Sequence, residues 1–68
     1  MEKLIEEYRQ LDKESQEMRK EIRVAFKKKD IDKYNELVFE KSIKSARMDT
    51  ILEIMKISGK LEEFVKRL

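Results

Sequence analysis

The chain has 68 residues, with no Cys, His or Pro, one Gly, and 17 basic against 15 acidic side chains for a net charge of +2. These numbers suit one small domain. They exclude a disulfide framework, the usual zinc and copper ligand sets, and a glycine-rich phosphate loop. A single core of this size stabilises weakly, so with disulfides and metal set aside a partner subunit is the support that remains.

Charged residues make up 47% of the chain and the mean hydropathy is −0.78, a composition near that of disordered segments. The apolar 40% is nevertheless placed periodically, and the small net charge gives little repulsion to hold the chain open. No apolar run approaches the ~20 residues of a membrane span. The opening Met1-Glu2-Lys3-Leu4-Ile5-Glu6-Glu7 is acidic where a secretory leader is basic and then apolar. The expectation is a cytoplasmic protein with no membrane association.

The first predicted element is a helix over residues 2–28. Leu4, Tyr8, Leu11, Ser15, Met18, Ile22 and Ala25 recur at alternating steps of four and three, a heptad seam. Ile5 and Phe26 widen the seam at its ends. The first half is acidic and the last part basic, the order that the helix dipole favours.

The second predicted helix covers 31–57. Asp30 is a good N-cap and Asp32 lies in the first turn. Its seam is read as Tyr34, Leu37/Val38, Ser42, Ser45, Met48, Leu52 and Met55. Gly59 is a natural stop, and a short helix over 60–68 would place Leu61, Phe64, Val65 and Leu68 on one face. A competing layout runs the second helix straight through, because Ile51, Ile54, Ser58, Leu61, Val65 and Leu68 also step by three and four.

A short connection makes the long helices antiparallel neighbours. Centred near Lys29, the register sets Leu4 against Met55, Leu11 against Met48, Ile22 against Leu37, and Ser15 opposite Ser45. The second helix also carries another apolar stripe, Phe39, Ile43, Ala46, Thr50, Ile54 and Ile57. A two-helix hairpin cannot bury both. A tail folded back after Gly59 would cover the end near Ile54 and Ile57 but leave Phe39 and Ile43 open.

The expected fold is therefore all-α. Residues 1–68 form one domain, an antiparallel hairpin of two long amphipathic helices with a short C-terminal helix, dimerising into a helical bundle.

Little in the chain carries chemistry. With no His there is no base to activate Ser15 or Ser45, and Glu36, Glu40 and Glu53 lie off the seams. No catalytic, cofactor or metal-binding residue is expected, and no enzyme. The strongest charge feature is Arg19, Lys20, Arg23, Lys27, Lys28 and Lys29, in which Arg19, Arg23 and Lys27 share a face. It reads either as dipole-matched cations at a soluble turn or as phosphate contacts. Lys41, Lys44 and Arg47 form a second basic strip level with Asp12, Glu14 and Glu17, which suits surface ion pairs.

The leading expectation is a homodimeric regulator or inhibitor that binds another protein. Its contacts would be the stripe of the second helix or the tail residues Leu61, Phe64, Val65 and Leu68. The alternative is a nucleic-acid-binding dimer that uses the basic tip.

Overall fold

A computed structural model describes all 68 residues as three helices without strands: α1 (Glu2–Lys27), α2 (Ile31–Ile57) and α3 (Leu61–Arg67). α1 and α2 pack along each other as the expected hairpin, giving a rod of 44 × 17 × 16 Å. No helix is long and apolar enough to cross a membrane.

The two chain reversals share one backbone solution. After α1, Asp30 N–H donates to Ala25 O at 3.0 Å and Lys29 N–H donates to Phe26 O at 3.1 Å. After α2, Lys60 N–H donates to Met55 O at 2.8 Å and Gly59 N–H donates to Lys56 O at 3.2 Å. Both pairs close a helix end on a left-handed residue, Lys29 at φ 59° and Gly59 at φ 73°. The Asp30 carboxylate then caps α2 by accepting from Lys33 N–H at 3.2 Å.

Only Gly adopts this conformation without a Cβ penalty. Lys29→Gly is therefore expected to raise stability by about 1 kcal/mol, and Gly59→Ala to lower it by about as much. A Cβ at Gly59 would meet nothing within 4 Å, so the loss there is one of backbone strain alone. Urea melts of the two variants check both signs.

The break at Gly59 decides between the two layouts of the tail. α2 does not run through, and α3 folds back against the open end of the hairpin. It does not land on the outer stripe, where the sequence places it. Phe64 inserts between the long helices, fully buried with Ile5, Ile51 and Met55, and its ring meets Tyr8 edge-on at 5.5 Å. Ile54 and Ile57 stay 41% and 79% exposed, so the tail does not cover that end of the stripe. An aromatic ring gains more from the three-sided slot than from the flat outer face. Arg67 secures α3 to the start of α1, donating to Glu2 at 2.6 Å, while its carbonyl accepts from Arg9.

The hairpin core is split in two. One cluster, Ile5, Ile51, Met55 and Phe64, lies at the open end, and the other, Met18, Ala25 and Leu37, lies toward the turn. Leu4 packs on the first with Met55 and Ile22 on the second with Leu37, as the register expects. Between them is a polar waist. There Lys44 pairs with Glu14 at 2.8 Å, and the Arg47 guanidinium grips both carboxylate oxygens of Glu7 at 2.8–3.2 Å. Ser15 is buried and Ser45 half-buried; the Ser15 hydroxyl points to Met48 Sδ at 4.0 Å.

Candidate interaction surfaces

Two surfaces remain unused by the fold. The first is the outer face of α2. At ~100° per residue, Phe39, Ile43, Ala46, Thr50, Ile54 and Ile57 fall within an arc of about 80°. All six are exposed, with Phe39 at 66% and Ile43 at 56%. The opposite side of the same helix is spent on α1, through Leu37, Ile51 and Met55. Thr50 adds no unmet polar group, because its hydroxyl donates to Ala46 O at 2.9 Å.

The tail residues predicted to share an interface are divided by the fold. Phe64 is fully buried inside the chain and Leu61 packs on the same cluster, so neither is free for a partner. Only Val65 and Leu68 remain outward, at 55% and 45%. The apolar spacing of the sequence reveals no local surface for α3 to pack on, yet the fold provides one. The slot exists because Ile51, absent from the expected seam, turns inward and is fully buried.

The second surface is the turn end of the rod. Arg19, Lys20, Arg23, Lys27, Lys28 and Lys29 are all exposed. None of them takes part in an ion pair; every such pair lies on residues 2–14 or 44–67. Phe26, expected to widen the seam, does not. It stands 68% exposed within the basic stretch, its ring tilted against Tyr34 at 5.9 Å. Ile31 beside it is 69% exposed, and with Tyr34 the two line a shallow apolar notch.

No three acidic side chains converge as metal ligands. Ion pairing has taken up much of the second basic strip: Lys44 and Arg47 are paired across the hairpin. The Lys44 ammonium, hydrogen-bonded to Glu14, and then the Gln10 amide hold the Glu14 carboxyl below its ordinary value of 4.5; partial desolvation opposes them.

A carboxyl lowered on folding contributes stability that is complete above pH 4.5 and lost as pH falls through the lowered folded value. Wild type is therefore expected to lose more stability on acidification below that pH than Glu14→Gln. Urea melts across the acid range measure the difference. Equal slopes would mean that the pair is broken in solution.

Comparison with family models, curated proteins and solved structures gives no match. The reading of function therefore rests on the two surfaces.

Proposed function

We propose that this chain is a non-enzymatic interaction module that works by docking the outer face of α2 onto another helical surface, as a small regulator or inhibitor would. The observation that carries the reading is the stripe from Phe39 to Ile57. It is apolar, outward and runs along most of the helix that bears it, whereas the inner face of that helix is already occupied. A continuous apolar face of this kind marks an interaction site on a folded protein. An amphipathic helix laid against it would be recognised through anchors at three- and four-residue spacing.

Site-specific photo-cross-linking in the native host tests the reading. A photoreactive residue at Phe39 or Ile57 should give discrete adducts. The same residue at Lys13, exposed on α1, should give none. Equal labelling at all three positions would remove the α2 face as a docking surface.

The basic tip supports a second reading, an interface with nucleic acid. Six cations without an ion pair lie on the same stretch of chain as an exposed Phe26, so charge for phosphates and a ring for stacking occur together. Affinity for mixed single-stranded RNA and DNA should then fall steeply with salt. Reversal of Arg19, Arg23 and Lys27 to Glu should reduce the log–log salt slope by roughly one for each phosphate no longer neutralised. Absence of binding at low salt by wild-type protein would remove this reading and leave the first untouched.

A further inference from the structure

From the stripe on α2 we infer that its occupant is a second copy of the chain, laid antiparallel across the first with the two-fold axis at the level of Met48. This rests on the reading of the α2 face as a docking surface and names what docks there.

The surface area asks for a partner of this size. The chain exposes 5417 Å² at a mass of 8.3 kDa. A folded monomer of that mass exposes about 4,600 Å². The excess is roughly the 800 Å² that one partner buries in an interface of standard size. The shape agrees. The radius of gyration is 14.5 Å, against about 11 Å for a compact chain of this length and about 14 Å for one twice as long. A second rod laid alongside, staggered by about 12 Å in this register, thickens the assembly and brings it nearer compact proportions.

The stripe is built to meet itself. Its side chains run large, large, small, small, large, large: Phe39, Ile43, Ala46, Thr50, Ile54, Ile57. Small residues at the centre let two helix backbones approach there, with the bulky groups closing over both ends. Read backwards, the size pattern is the same, so an isologous contact matches size to size. The axis at Met48 sets Phe39 level with Ile57 of the second copy, Ile43 with Ile54, and Ala46 with Thr50. Thr50 enters with its hydroxyl already satisfied.

Charge selects antiparallel over parallel. A parallel pair would bring two sets of six unpaired tip cations to the same end, with both helix dipoles aligned. The antiparallel pair sends the tips to opposite ends of the rod.

The absence of native Cys makes the register directly testable. Ala46→Cys and Thr50→Cys chains are prepared separately, confirmed helical by circular dichroism, mixed in equal amounts and oxidised. A disulfide needs its two Cα atoms within ~7 Å. The mixed 46–50 disulfide should form far above its statistical share, and wild-type protein should sediment as a dimer. Predominance of the 46–46 and 50–50 products would overturn the antiparallel register. A monomer at every concentration up to hundreds of micromolar would overturn the second copy as occupant. If that monomer still gave stripe-specific photo-adducts of another mass in the host, the docking reading would stand and only this inference would fail. Absence of both self-association and adducts would remove both.

Discussion

Phe64→Ala is expected to abolish the docking of α3 and to lower stability by about 3–5 kcal/mol, the range for deleting a buried aromatic ring. Phe64 is fully buried and is one of the two largest side chains so enclosed, the other being Ile51. Its removal takes away the Tyr8 edge-on packing and opens a cavity against Ile5, Ile51 and Met55. A single core in a chain this short supplies rarely more than ~3–5 kcal/mol, so the variant should approach the limit of folding. What remains of α3 cannot hold it. Arg67 joins Glu2 between side chains 46% and 78% exposed, and an exposed pair contributes about 1 kcal/mol at most. Urea denaturation gives the loss, and hydrogen exchange on α3 amides shows whether the helix has come away. Val65→Ala is the control: Val65 is 55% exposed, one residue along the same helix. Equal effects of the two substitutions would mean that α3 is not seated on the hairpin.

The hairpin is legible in the sequence because α1 declares its face. Its seam residues from Leu4 to Ala25 are separated almost entirely by charges, and every one of them is buried or half-buried in the fold. α2 declares no single face. Apolar residues surround it, so periodicity alone does not say which side meets α1, and the expected seam is off by one position over part of its length. The inward row is Leu37, Lys41, Lys44, Met48, Ile51 and Met55, which steps by four and three throughout. Ser42, expected in the seam, is exposed and donates to Phe39 O at 2.6 Å. Two lysines in an inward row hide the pattern from any count of apolar residues. Lys44 tolerates the place because its aliphatic stem packs while its ammonium reaches Glu14 at 2.8 Å. The same offset conceals Ile51, and with it the slot that receives Phe64.

The outer stripe is legible for the complementary reason, since residues left over when one face of a helix is assigned must lie on another. Sequence does not separate Leu61 and Phe64 from Val65 and Leu68. That division depends on where the chain turns at Gly59, and so on a tertiary contact. The exposure of Phe26 is equally hidden. Its spacing allows it at the edge of the seam, but the tight turn through Lys29 carries α2 past it, leaving Tyr34 as the ring it meets.

Phe39→Ala separates assembly from folding, and it should act almost wholly on assembly. The ring is 66% exposed in the single chain, so its loss leaves both core clusters and the turn unchanged. In the self-paired bundle each ring is covered by Ile57 of the opposite protomer, and a two-fold axis counts every substitution twice. Burying a Phe side chain is worth about 1.5–3 kcal/mol, reduced here because part of the ring is already covered. Two rings therefore contribute on the order of 2–4 kcal/mol to association, a weakening of dimerisation by roughly 30- to 1,000-fold. Melting temperature follows mass action when folding and association are linked. Wild-type protein should thus melt at a temperature that rises with protein concentration. Phe39→Ala should melt at nearly the same temperature across that range, with the far-ultraviolet spectrum of a formed hairpin at its start. Concentration-independent melting of both proteins at one temperature would place Phe39 outside any self-interface. A drop in the melting temperature of Phe39→Ala that persists at the lowest concentration would mean instead that the ring supports the hairpin itself, through contacts that its exposure in the single chain excludes.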